Sequence, residues 1–219
     1  MFELWFKELI FELVTVRDSM TGGDVHAARH YLQRIHAIQR VLIEQIEVLE
    51  TMSPQDFLAF RTHLAPASGF QSVQFREIEF LSGSKDEGYI DRLDMTDDER
   101  ARLQKRLSEP SVWDGFCALL EVNGLAMPPG DDSGNESIRR ASLLMMLRDR
   151  DRFADLFYLS ESLLTFDELF ALWRQRHVLM VERMIGSKTG TGGSTGASYL
   201  RTTLDKRFYP ELWELRSYL

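Results

Sequence analysis

The chain has 219 residues, 44% of them hydrophobic and 27% charged, which fits a globular protein with one sizeable core. A net charge of −8 with no dense basic block argues against nucleic-acid binding. The lone cysteine, Cys117, rules out an intrachain disulfide framework and points to a reducing cytoplasm, and no apolar run is long enough to span a membrane.

Met1 to about Met20 predicts a first helix with Leu4, Trp5, Ile10, Phe11 and Val14 on one face. Glu3, Lys7, Glu8 and Glu12 break it up, which marks an amphipathic helix and not a signal peptide. The pattern is in full stride at Phe2 without a capping side chain, so the expectation is of a chain that begins inside an element. Thr21-Gly-Gly-Asp24 ends this helix, and Asp24 caps a long second one, Val25 to Glu50, with Leu32, Ile35, Ile38, Leu42, Ile46 and Leu49 at steps of three and four. His26 and His30 sit four apart on it with no third ligand nearby, and read as solvated surface.

Ser53-Pro-Gln-Asp56 starts a helix through Phe57, Phe60, Arg61 and Leu64 that stops at Pro66. Ser68 and Gln71 predict a capping box for a helix from Phe70 to Leu81. Gly83 to Asp94 is polar and turn-rich. Thr96-Asp-Asp-Glu99 caps a helix to about Leu107, and Pro110 begins the next. Asn123 to Glu136 reads as a surface loop, with helical patterning from Ile138 to about Leu164. Another helical stretch and Phe208-Tyr-Pro-Glu-Leu-Trp213 close the chain. No useful period-two alternation appears, so the fold class is all-α, a single helical domain over 1–219.

Chemistry concentrates in Phe170-Ala-Leu-Trp-Arg-Gln-Arg-His177 and the glycine-rich Gly190-Thr-Gly-Gly-Ser-Thr-Gly196 behind it. His177 lies on an apolar stripe with Phe166, Leu169, Phe170, Trp173, Val181 and Met184, where a histidine is ordinarily a core residue. Four glycines in seven residues let backbone N–H groups approach an anion, and Thr191, Ser194 and Thr195 add hydroxyls. A neutral imidazole beside an anion cradle suits an amphiphilic, carboxylate-bearing cofactor such as haem. Arg61, in apolar company, needs an anion: a nearby Glu, or a substrate carboxylate held by two parallel hydrogen bonds. No catalytic triad, metalloprotease helix, phosphate loop or dinucleotide fingerprint is present; Lys188 precedes the glycines where a phosphate loop has its lysine after them.

Glu3-Leu-Trp-Phe-Lys7, Phe60-Arg61 with Pro66-Ala-Ser-Gly-Phe-Gln-Ser72, Leu172-Trp-Arg-Gln-Arg-His177 with the glycine loop, and Phe208-Tyr-Pro-Glu-Leu-Trp213 together resemble the tryptophan 2,3-dioxygenase family, in order and over nearly the whole chain. The resemblance implies an all-helical homotetramer with one haem b per subunit, opening the indole ring of L-tryptophan with O2 to give N-formylkynurenine. It implies His177 as the proximal iron ligand and Arg61 as the clamp on the tryptophan carboxylate. Thr191 would hold the ammonium group near a haem propionate. Ser68 and Gly69 match the turn lining haem and substrate, and Leu64 and Phe70 the apolar wall.

Two departures stand out. The family's distal histidine lies just upstream of the Glu-Leu-Trp motif and is not in this sequence, nor is the N-terminal segment that covers a neighbouring subunit's site. Phe57 stands where family members have a tyrosine near the substrate carboxylate. These departures keep open a diverged relative that oxidises a modified tryptophan or another indole, and a catalytically silent helical protein that binds haem or only oligomerises.

Overall fold

The computed structural model describes residues 1–65, 68–130, 132–191 and 195–219, and every regular element among them is helical. Three helices form the frame. α1 (Phe2–Thr21) turns back through Gly22 and Gly23 into α2 (Val25–Glu50), whose first turn is capped by Asp24 accepting from the Ala27 N–H at 2.9 Å. α9 (Arg150–Ile185) runs parallel to α2. Its register is read from three contacts: His36 Nε2 to the Ser162 carbonyl, Gln39 Nε2 to the Phe166 carbonyl, and Arg176 to Glu50. Residue numbers rise together along both helices, and Leu32, Ile35, Leu42, Leu159, Leu163 and Phe166 fill the seam.

The shorter elements wrap this frame. α3 (Pro54–Phe60) leads into a 3-10 turn, Arg61–Leu64, and a second 3-10 turn, Gly69–Gln71, precedes α4 (Val73–Ser82). α5 (Gly88–Arg92), α6 (Asp97–Ser108), α7 (Val112–Val122) and α8 (Ser133–Arg148) follow. After α9 come α10 (Ala197–Arg201), α11 (Pro210–Glu214) and a terminal 3-10 turn, Leu215–Tyr218. α1, α2, α7, α8 and α9 share the main core, while Val73, Phe80, Tyr89, Leu93 and Leu103 form a smaller one under α4, α5 and α6.

Several expectations are corrected. On α1 the buried stripe is Phe6, Leu9, Leu13, Val16 and Met20, whereas Leu4 and Phe11 point outward, 74% and 67% exposed. That helix is apolar on two sides, so sequence alone leaves undecided which stripe faces the core. The segment after Ser53 is not one helix but α3 plus a 3-10 turn, and the Ser68–Gln71 capping box opens a 3-10 turn; Ser72 caps the helix proper. The helix expected from Pro110 is capped by Ser111, in a reciprocal box with Asp114. α8 starts at Ser133, inside the expected loop, because the Asp132 side chain accepts from the Gly134 and Asn135 N–H groups. The stretch from Ile138 to Leu164 breaks at Asp149, which caps α9. His26 and His30 are exposed, as expected, and no cluster of metal ligands exists among the described residues.

Burial beside α9 pushes the His36 pKa down to about 4, with Arg40 adding repulsion. The unfolded chain takes up this proton near pH 6.5, so between that value and about 4 it binds more protons than the native state. Stability contributed by neutral His36 is therefore full above pH 6.5 and falls by about 3 kcal/mol as the pH drops to about 4. His36→Gln keeps a donor for the Ser162 carbonyl without the titration; urea melts across this window should show a flatter pH dependence than the parent.

Candidate active site

Stretches far apart in the chain meet at the end of the bundle where α1 begins. Trp173 is the hub. Its ring centroid lies 6.1 Å from Phe2, 6.0 Å from Phe6, 5.5 Å from Phe75 and 5.6 Å from His177. Helical spacing places His177 one turn beyond Trp173 on the same face of α9. The imidazole is half-buried, and burial alone pushes its pKa below the ordinary histidine value. It is thus a neutral ring with no carboxylate or carbonyl holding its nitrogens among the described residues.

Glu3 ties the start of α1 to the turn before α4. Ser72 Oγ donates to Glu3 Oε1 at 2.6 Å, and Gln74 Nε2 donates to Glu3 Oε2 at 2.7 Å and to the Glu3 carbonyl at 3.0 Å. Within that turn Ser68 Oγ accepts from the Phe70 N–H at 3.2 Å, which leaves its own proton to donate. Gly69 is exposed with open space where a side chain would start. The Phe70 ring packs 5.9 Å from both Tyr89 and Tyr199, joining the turn to α5 and α10.

Arg61 sits half-buried on the 3-10 turn after α3, and its Nη2 donates to the Thr189 carbonyl at the foot of the glycine loop. No carboxylate pairs with it among the described residues. Phe57 is half-buried, its ring edge-on to Phe60 at 5.5 Å, and Leu64 is 40% exposed. Thr191 is half-buried, while Gly192, Gly193, Ser194, Pro66 and Ala67 lie outside the described residues. The loop closes on Gly196: its φ is +65°, and a Cβ there would stand 2.6 Å from the Lys188 carbonyl oxygen. The structure thus brings Arg61 to the loop that carries Thr191, and Ser68–Phe70 to α10 beyond it. No hydrogen bond or ring contact joins Arg61 or Phe70 to His177 directly.

Two clefts of about 320 and 310 Å³ lie elsewhere, one between α8 and the terminal 3-10 turn, the other beside Trp213. Neither cleft is lined by His177, Arg61 or Thr191.

The chain matches the family model described as tryptophan 2,3-dioxygenase over residues 1–125 and 132–219. It is 56% identical to the tryptophan 2,3-dioxygenase of Nocardioides sp., covering 100% of this chain and 81% of the relative. The enzyme of the same name from Herpetosiphon aurantiacus is 42% identical, with 99% and 84% covered, and that of Caulobacter vibrioides 39%, with 99% and 85%. The chain belongs to the tryptophan 2,3-dioxygenase family. Membership gives the contacts around Trp173 their significance, since Phe6, Trp173 and His177 all lie in the stretches that resemble the family.

Sequence reasoning missed the residues that hold this end rigid. Asp167 is fully buried, and its Oδ2 accepts from the Phe208 N–H at 2.9 Å, the Tyr209 N–H at 3.2 Å and the Trp213 indole N–H at 3.0 Å. Arg174 donates to the Lys206 carbonyl at 3.0 Å and lies 3.7 Å from Glu79 of α4. A signal existed: an aspartate inside the apolar stripe Leu163, Phe166, Phe170 needs buried donors.

Gly196→Ala meets both a strained φ and a backbone oxygen, a cost of roughly 1–3 kcal/mol placed at the loop closure. Limited proteolysis should cut the variant faster within 186–198 while the core helices stay protected. Unchanged cleavage would show that the loop does not close through this glycine.

Proposed function

We propose that this chain is a haem-dependent dioxygenase that opens the C2–C3 bond of L-tryptophan with O2 to give N-formylkynurenine. The observation that carries the reading is the packing of Phe2, Phe6, Phe75 and His177 around Trp173, in a chain 56% identical to a relative named for this activity. One helical domain over 1–219 serves as the unit.

The donor set fits haem b. His177 offers a ring that burial keeps neutral, as iron ligation requires, and Trp173 packs against it on the same helix face. Haem, when bound, supplies the redox chemistry that activates O2. The remaining work is placement by this chain's residues. Arg61 trades the Thr189 carbonyl for the substrate carboxylate, a charged acceptor that its fork grips by two parallel hydrogen bonds. Thr191, on the same loop, would accept from the substrate ammonium. Ser68 and Gly69 would line cofactor and substrate with a short polar turn, and Leu64, Phe57 and Phe70 would supply apolar wall.

Assembly as a homotetramer is part of the proposal. Leu4 and Phe11 on α1, and Val41 and Val48 on α2, are each seven residues apart and exposed, so each helix shows a solvent-facing apolar stripe suited to another copy. No described helix is long and apolar enough to cross a membrane. With Cys117 as the lone cysteine, we place the protein in the cytoplasm.

A second reading, oxidation of a modified tryptophan or another indole, is favoured by Phe57, which offers no hydroxyl beside the carboxylate site. The mass of the product from L-tryptophan decides: a gain of two oxygen atoms supports ring opening, one oxygen the diverged reading, and no product a silent haem-binding relative.

Reduced, haemin-supplied protein should give a histidine-ligated haem spectrum that shifts on adding L-tryptophan. His177→Ala should lose haem on gel filtration; retention would remove the ligand assignment. Arg61→Ala should keep haem but raise KM for tryptophan roughly 10- to 150-fold, the equivalent of a charge-assisted contact worth about 1.5–3 kcal/mol. An unchanged KM would place the carboxylate elsewhere.

A further inference from the structure

Glu3 has more contacts than an exposed residue near a helix start needs. Three hydrogen bonds at 2.6, 2.7 and 3.0 Å run from Ser72 and Gln74 to its side chain and carbonyl. The Ser72 hydroxyl is committed on both sides: it donates to Glu3 and accepts from the Phe75 N–H at 3.1 Å, the cap of α4. Glu3 therefore orients the cap as well as anchoring it. Immediately before the cap lies the Ser68–Gln71 turn, and Phe75, the residue it caps, packs on Trp173 at 5.5 Å. Phe2, beside Glu3, packs on the same indole at 6.1 Å.

We infer that Glu3 is a positioning residue for the active site: its carboxylate sets where the Ser68–Phe70 turn stands relative to Trp173 and His177. An exposed carboxylate adds little to global stability, because water competes for its partners. What it supplies is alignment: among the described residues α1 holds the Ser72 cap and Gln74 through Glu3, and α4 otherwise packs on α1 through apolar contacts such as Phe6 with Phe75. Loss of the carboxylate leaves the helices in place and frees the turn. The inference rests on the reading of this face as the haem and tryptophan site.

The test compares Glu3→Ala and Glu3→Gln with the parent in three measurements. Hydrogen exchange on the cofactor-free protein should speed up over residues 68–75 and stay unchanged in α2 and α9. The melting temperature should fall by no more than about 4 °C. The tryptophan dissociation constant, read from the spectral shift of haem-loaded protein, should rise on the order of tenfold in Glu3→Ala with haem retained. Glu3→Gln keeps one acceptor and should lie between parent and Ala, which also serves if the Ala variant folds poorly.

Unchanged exchange at 68–75, an unchanged dissociation constant, or a large loss of melting temperature with exchange rising throughout would overturn the inference. The last of these would make Glu3 a plain structural strut. If the parent itself shows no shift with tryptophan, the functional reading falls, and the exchange measurement alone decides whether Glu3 positions the turn.

Discussion

The buried carboxylate of Asp167 is the constraint on which the rest of this architecture depends. It lies in the middle of the longest helix with no exposure, and one of its oxygens gathers two backbone N–H groups and an indole N–H from the last stretch of the chain. Burial raises its pKa, opposed by those three donors and by the charge of Arg174. Hydrogen bonds to a charged group contribute about 1.5–3 kcal/mol each, which offsets only part of the cost of dehydrating this carboxylate, so its pKa stays raised. Without it, three buried donors would face an apolar wall. Arg174, two turns on, repeats the device toward α4 through Glu79 and toward the C-terminal stretch through the Lys206 carbonyl. α9 is thus tied on both flanks before it reaches His177.

Much of this was legible in the sequence. The second helix, Asp24 as its cap, the capping boxes at Ser68 and Thr96, and the all-α class follow from local rules that tertiary packing did not override. Boundaries failed where a side chain decided them: Asp132 and Asp149 start helices inside stretches that composition reads as loop or as continuous helix. The face of α1 failed for another reason. Leu4 and Phe11 are as apolar as Phe6 and Leu9, and only packing against α2 and α7 settles which pair is inside.

The site was legible in parts and not as a whole. His177 announces itself as a histidine on an apolar stripe, and Arg61 as an arginine among phenylalanines, each with a bland explanation. Their relation is a fact of topology: the segment after α3 folds back so that Arg61 reaches the Thr189 carbonyl, 128 positions later. Nor could spacing show that Glu3, read as one more polar residue on an amphipathic helix, would reach Ser72 and Gln74.

The elements that carry these groups differ in stiffness in a way that matches their proposed tasks. The proposed iron ligand sits on a 36-residue helix tied down by Asp167 and Arg174, whereas the proposed carboxylate clamp sits on a four-residue 3-10 turn and the proposed ammonium partner, Thr191, lies outside any helix. A cofactor ligand gains from a fixed position, because any drift of the ring weakens the metal bond. Groups that capture and release a substrate gain from the low-stability end of the structure, where local opening costs little. Arg61 is held by a backbone carbonyl that a carboxylate can displace, while Glu3 ties α1 to α4 beside Trp173. Exchange of one acceptor for another at Arg61, with Arg174 and α9 left where they are, is what this distribution of contacts permits.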